Sequence, residues 1–264
     1  MIQGARVIDD HTHIGDFLAV KNGVRRWTAE DLVARMDRTG VDVSVVCHLI
    51  SPLSEEAHIR PANDLVLEAV RRFPDRLVGV CVVNPKWEKS AVEEARRCLA
   101  EGMRGIKVHP ILHGNYHIDG AVMDPIMGVA ADAGVPVITH SDFGSRCCTP
   151  YQVARLAARV PAVRIVMLHL GMDTDLVGHT PEIVKDCPNL ILDTSCTPDL
   201  PDPVFVNPAR VIGAGRVMFG SDGPVCSVEA NLAKLDVARS QFGLSDAERQ
   251  QILGGTAAQV FRIN

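Results

Sequence analysis

Leu77-Val78-Gly79-Val80-Cys81-Val82-Val83 is an unbroken run with no polar residue. A strand with one wet face alternates apolar and polar residues; a run like this one belongs to a strand covered on both faces, the condition of a parallel sheet. The same kind of run recurs every 25 to 35 residues or so. Before it come Ala5-Arg6-Val7-Ile8 and Val41-Asp42-Val43-Ser44-Val45-Val46-Cys47. After it come Gly105-Ile106-Lys107-Val108-His109, Val135-Pro136-Val137-Ile138-Thr139-His140 and Arg164-Ile165-Val166-Met167-Leu168-His169. Leu190-Ile191-Leu192-Asp193-Thr194 and Val217-Met218-Phe219-Gly220-Ser221-Asp222 complete a set of eight.

Helical patterns fill the gaps. Thr28-Ala29-Glu30-Asp31 and Ser245-Asp246-Ala247-Glu248 are capping boxes. Ser90-Ala91-Val92-Glu93 reads as a third helix start, and Thr149-Pro150 puts proline at a first helical position. Gly40, Gly102, Gly134 and the pair Gly254-Gly255 read as stops. Eight strand–helix repeats predict an α/β fold, a closed (β/α)8 (TIM) barrel spanning residues 1–264 as one domain. No Gly-x-Gly-x-x-Gly follows the first strand, which argues against a dinucleotide-binding sheet.

The bulk properties narrow the function. A formal charge of -5 gives no basic surface for nucleic acid. No apolar run is long enough to cross a membrane, and a strand begins too early to leave room for a signal peptide. The eight cysteines form no Cys-x-x-Cys pair. They read as reduced, mostly buried residues of a cytoplasmic protein.

Polar residues stand where the apolar runs end. In Asp9-Asp10-His11-Thr12-His13 the two histidines sit at i and i+2, on one face of an extended chain, which makes half of a metal site. Alone, such a pair would as readily be two unrelated core histidines. His109, His140, His169 and Asp222 end the fourth, fifth, sixth and eighth runs. Barrel enzymes build their sites at that rim. The loops after the second and fourth runs are long and carry His58, Arg60, His113, Tyr116 and His117, residues placed to face substrate or solvent.

These residues resemble the amidohydrolase superfamily, and within it the amidohydrolase-related branch that includes aminocarboxymuconate-semialdehyde decarboxylase. Supporting segments are Gly105-Ile106-Lys107-Val108-His109-Pro110, Met167-Leu168-His169-Leu170-Gly171, Phe219-Gly220-Ser221-Asp222-Gly223-Pro224 and Ile252-Leu253-Gly254-Gly255-Thr256-Ala257-Ala258-Gln259-Val260-Phe261. Thr256 stands where the family more often has Asn. The resemblance implies a metal, usually zinc, on His11, His13, His140 and Asp222, with His169 as an acid/base beside it. Mn2+ or Fe2+ suit the same donors. One ion is expected, or two if Lys107 is carboxylated.

Lys107 and His109 share a face and could bind substrate. Arg146, after the fifth run, either holds a substrate carboxylate or lies in solvent. Two activities fit this set. One is hydrolysis of a small lactone, amide or related carboxylate-bearing substrate by a metal-activated water, with His169 and Asp222 catalytic. The alternative is metal-dependent, non-oxidative decarboxylation of a small unsaturated or aromatic acid, with Lys107 or Arg146 on the departing carboxylate. The partner is a small molecule, and family habit makes a homodimer an expectation.

Overall fold

A computed structural model describes residues 4–17, 25–49 and 55–264. Seven of the eight apolar runs contain strands, while the first, residues 5–8, only leads into one that starts at Ile8 and runs on through the polar stretch to Phe17. In chain order the strands are β1 (Ile8–Phe17), β2 (Arg25–Trp27), β3 (Val43–His48), β4 (Leu77–Gly79), β5 (Cys81–Val82), β6 (Ile106–Val108), β7 (Val137–Thr139), β8 (Ile165–Met167), β9 (Leu190–Asp193) and β10 (Val217–Met218). All neighbours pair in parallel except β2, which turns back antiparallel on the end of β1.

The strands fall into two hydrogen-bonded groups, β2-β1-β3-β4 and β10-β9-β8-β7-β6-β5. Backbone bonds join the groups on both sides. The Val80 N–H donates to Val46 and the Cys81 N–H donates to Gly105, so one extended run changes partners at that point. On the other side Asp10 donates to Phe219, Asp222 donates to His11, and His13 donates to Gly223. Counting β4 and β5 as one run, eight parallel strands make a closed ring.

The ring interior is apolar toward the starts of the strands. Ile8, Val43, Val45, Val78, Val80, Ile138, Val166, Ile191 and Met218 form one buried cluster. The intervening residues, such as Val46, Val108, Val137 and Leu192, pack outward into a second core shared with the helices. Alternation is therefore present, but both faces are buried, as continuous apolar runs require.

The helices are α1 (Ala29–Thr39), α2 (Glu56–Arg72), α3 (Glu88–Ala100), α4 (Asp124–Ala133), α5 (Pro150–Arg159), α6 (Thr180–Val184), α7 (Asn207–Ile212), α8 (Val228–Phe242), α9 (Asp246–Gln250) and α10 (Thr256–Phe261). The boxes at Thr28/Asp31 and Ser245/Glu248 form as the sequence predicts, Pro150 opens α5, and Thr149/Gln152 make a third box there. Two boundaries differ. Helix α3 starts at Glu88, and the Ser90 hydroxyl donates back to the Trp87 carbonyl instead of capping. Gly254-Gly255 does not stop the late helix: the chain turns on through residues 251–255 into α10. A Cβ at Gly254 would lie 2.5 Å from the Arg6 carbonyl oxygen, so glycine is needed there for close approach. Through that contact α10 reaches the barrel floor, where Ala257, Val260 and Phe261 join the interior cluster.

Candidate metal centre

The His-x-His pair lies inside β1, not beyond its end. Pairing to β3 continues past it, with a register shift between Asp9 and Thr12. Both imidazoles point into the mouth of the ring, their centroids 4.6 Å apart and edge to face. Asp222, in the segment after β10, meets them there. Its Oδ1 lies 3.2 Å from His11 Nε2 and 2.9 Å from His13 Nε2. The backbone of Asp222 has φ 61°, a left-handed conformation that few residues other than glycine adopt cheaply.

His140 and His169 complete the arc. His140 is 5.0 Å from His169 between ring centroids, and His169 is 5.6 Å from His11. His109 stacks on His140 at 4.2 Å and 13°. Lys107 is buried, its Nζ 3.5 Å from His11 Nε2. One cavity of about 190 Å3 is lined by all of these groups, by His48 and His113, and by Leu49, Val82, Leu112, Met172 and Val225. Arg146 is exposed and does not line this cavity; its carbonyl accepts from Gln152 Nε2. His117 and His58 are exposed as well.

The electrostatics favour neutral imidazoles. Burial, with repulsion from His169 and Lys107, pushes His140 down to about 2. Burial and Lys107 push His113 down to about 4. Burial, Lys107 and His13 hold His11 well below its usual value. Burial lowers His169 and Lys107. His13 is the exception: burial opposes its charge, but the sulfur of Cys47 and the Asp222 carboxylate raise it to about 10. Burial also works against the charged form of Asp222, yet hydrogen bonds from His11 and His13 hold its carboxyl well below the ordinary range.

Residues behind the site fix its members. Asp9 accepts from the Ser221 N–H at 2.8 Å and the Ser221 hydroxyl at 2.6 Å, and from the His11 N–H at 3.5 Å, steadying both the His-x-His segment and the segment before Asp222. His169 Nδ1 lies 3.1 Å from the Ser195 carbonyl oxygen, a pure acceptor, so Nδ1 carries the proton and Nε2 keeps its lone pair. Asp193 accepts from the His169 N–H, and from the N–H and hydroxyl of Ser195. Asp193 lies in the seventh run and Ser195 just past its end, and no spacing in the sequence marks either as a site residue. Cys47, a small buried residue by sequence, has its Sγ 3.4 Å from His13 Nδ1.

Gly220 leaves room for two buried carboxylates. A Cβ at that position would collide with the side chains of both Asp10 and Asp193. Gly220→Ala is therefore expected to destabilise the fold by about 2–3 kcal/mol, read as a lower urea midpoint. An unchanged midpoint would show that the carboxylates yield freely.

The profile of the amidohydrolase family matches residues 8–263. The chain belongs to the amidohydrolase family. No curated protein matches it significantly. Solved structures that resemble this amidohydrolase include a 5-carboxyvanillate decarboxylase from Novosphingobium aromaticivorans, in complex with manganese and 4-hydroxy-3-methoxy-5-nitrobenzoic acid. Its TM-score is 0.78 at 18% identity, covering 99% of this chain and 97% of that one. A 2,6-dihydroxybenzoate decarboxylase from Rhizobium has TM-score 0.75 at 17% identity, covering 99% of both chains. A probable 2-pyrone-4,6-dicarboxylic acid hydrolase from Acinetobacter baumannii has TM-score 0.71 at 14% identity, covering 98% of this chain and 100% of that one. At these identities the likeness bears on the fold, and it agrees with a barrel amidohydrolase. No helix among the described residues is long and apolar enough to cross a membrane.

Proposed function

We propose that this amidohydrolase is a metal-dependent carboxy-lyase acting on a small aromatic or unsaturated acid. The observation that carries the reading is the buried Lys107 amine in the same small cavity as His11, His13 and Asp222. Decarboxylases among the structural relatives support it.

The donor set fits a divalent ion. Adjacent ligands bound at about 2.0–2.2 Å stand about 3.0 Å apart in octahedral geometry and about 3.4 Å in tetrahedral geometry. The spacings at Asp222 Oδ1, 2.9 and 3.2 Å, are of that size. His11, His13 and Asp222 would hold one ion, with His140 reaching in from the opposite wall and Lys107 unmodified. Mn2+, as bound by the 5-carboxyvanillate decarboxylase, or Zn2+ suits these donors. Such an ion supplies positive charge that draws electron density from a bound carboxylate or phenolate oxygen.

The chain's own groups do the rest. A cavity of about 190 Å3 is smaller than the roughly 300–1,000 Å3 of sites for drug-sized ligands, so the substrate is small. Leu49, Val82, Leu112, Met172 and Val225 give it apolar walls. The stacked His109–His140 pair offers a flat face for a planar ring. Lys107 pairs with an anionic oxygen of the substrate and fixes its orientation. As the bond to the carboxylate carbon breaks, the electron pair stays on the ring carbon and CO2 departs. His169 Nε2, whose lone pair is free, first takes a proton from an acidic substrate hydroxyl or from water and then passes it to that carbon, its lowered pKa making the protonated form a ready donor.

Hydrolysis is the second reading, favoured by the likeness to the pyrone hydrolase, with the same cavity and with His169 as the base. Protein loaded with Mn2+ or with Zn2+ is to be assayed on hydroxybenzoates, unsaturated acids and pyrone lactones, following CO2 and acid release separately. Metal-dependent CO2 release is expected. Lactone opening without CO2, at the higher kcat/KM, would overturn the lyase reading. Lys107→Gln is expected to lower kcat/KM on acids by about 100-fold, the scale of a lost buried charge-assisted bond. Its metal content should be unchanged. A parallel loss of metal would place Lys107 in the ion's own ligand set.

A further inference from the structure

Cys196 and Cys226 face each other behind Asp222. Their sulfurs stand 2.6 Å apart, although the residues are 30 apart in sequence. Both are half-buried free thiols. Both line a separate open cavity of about 300 Å3, with Thr197, Asp199, Ser221, Ser227 and Lys234 also on its walls. The two thiols and an Asp222 oxygen lie within 4.8 Å of one another.

Two kinds of chemistry suit such a pair, a shared metal ion or a disulfide. Two thiolates on one tetrahedral zinc, each at about 2.3 Å, are held about 3.8 Å apart. The observed spacing is much shorter, which favours direct sulfur–sulfur bonding. Local backbone placement favours it too. Cys226 is fixed by its N–H donating to the Asp222 carbonyl, and by Arg35 on its own carbonyl. Cys196 has φ 51°, in the turn that follows Ser195. The two sulfurs are thus presented to each other from separate loops, one holding His169 through Ser195 and the other carrying Asp222.

We propose that Cys196 and Cys226 form a peroxide-oxidisable dithiol that closes to an intramolecular disulfide between these two loops. In the first step one sulfur, as thiolate, attacks a peroxide oxygen: an S–O bond forms, the O–O bond breaks, and the departing hydroxide takes a proton to become water. In the second step the other thiol attacks the sulfenic sulfur, the S–S bond forms, and the S–O oxygen leaves as a second water. Two thiols are oxidised and one peroxide is reduced. The open cavity admits an oxidant of that size. A thiol reductant reverses the change.

The test uses the intact protein, reduced, desalted and exposed to stoichiometric hydrogen peroxide. Free thiols are blocked with iodoacetamide under denaturing conditions, and peptides are mapped by mass spectrometry before and after reduction. A peptide containing Cys196 joined to one containing Cys226 is expected, 2 Da lighter than the two thiol peptides together. The other six cysteines should remain alkylated. Cys196→Ser and Cys226→Ser should each leave a single thiol that accumulates as sulfenic acid, trapped by dimedone, with an unchanged melting temperature. Full alkylation of both residues after peroxide, or pairing of either with another cysteine, would overturn the proposal.

Discussion

Asp222→Asn is expected to lower metal-dependent turnover by about 10³-fold, within the range of losing a group that both orients and moves protons. The substitution keeps size and removes charge. Both β1 imidazoles touch Asp222 Oδ1. With an amide there, His13 loses part of what raises it, and the ion loses an anionic ligand. Affinity should fall by about 100-fold or more, since even partners one layer out from a metal are worth 10–100-fold. Calorimetric titration with Mn2+ and Zn2+, beside elemental analysis, reads this directly. His11→Ala should share the metal defect. Full metal content and full turnover in either variant would remove the proposed site.

Mild acid should destabilise the metal-free protein. Folded His140 and His113 titrate near 2 and 4, whereas in the unfolded chain both titrate near 6.5. Below 6.5 the unfolded chain binds protons that the folded one refuses, so stability falls as pH falls. Each unit costs about 1.4 kcal/mol per group, or about 5 kcal/mol for the two between pH 6.5 and 4.5. His11, His109 and His169, also lowered by burial, add to the loss. Asp9 works the other way. Burial raises its carboxyl to about 7, so acidification relieves a charge it holds unwillingly, by about 3 kcal/mol over the same range. Asp10, raised by burial and by Asp193, adds to that relief. His48, lowered by burial as well, brings the imidazoles on the losing side to six against two raised carboxyls. Between them His140, His113 and Asp9 leave a net loss of about 2 kcal/mol, a sizeable share of a domain's stability. Urea midpoints at pH 7.0, 5.5 and 4.5 would show it, and a midpoint that stays level or rises on acidification would refute this assignment of charges. Saturating Mn2+ or Zn2+ should shift the loss to lower pH, because ligation competes with protons.

The barrel could be read from sequence because its signal is local. Each apolar run is covered on both faces, and each ends where the chain enters polar loops. The residues at those ends, His140 and His169 among them, were therefore legible along with their cavity. The limits of the reading are also local. Whether β1 stops before His11 or carries it depends on pairing with β3, a partner some 35 residues away, and sequence periodicity does not report it. Arg146 looked suitable by charge alone, yet its loop turns its side chain outward. Cys47 and Asp193 stood at run ends as clearly as the histidines. A thiol reads as hydrophobic, and an aspartate at a strand end has many structural uses, so the sequence alone marks neither.

The seam between β1 and the segment after β10 has a further implication for how the protein is made. His13 and Asp222 are 209 residues apart, and their meeting needs the last strand to dock on the first. Contacts of such long range form late, since the entropy of the intervening chain must be surrendered before they repay it. A nascent chain emerging from the ribosome would present two imidazoles long before their carboxylate exists. Tight ion capture would then mark completed synthesis, and metal supplied early would find no more than a weak two-nitrogen perch.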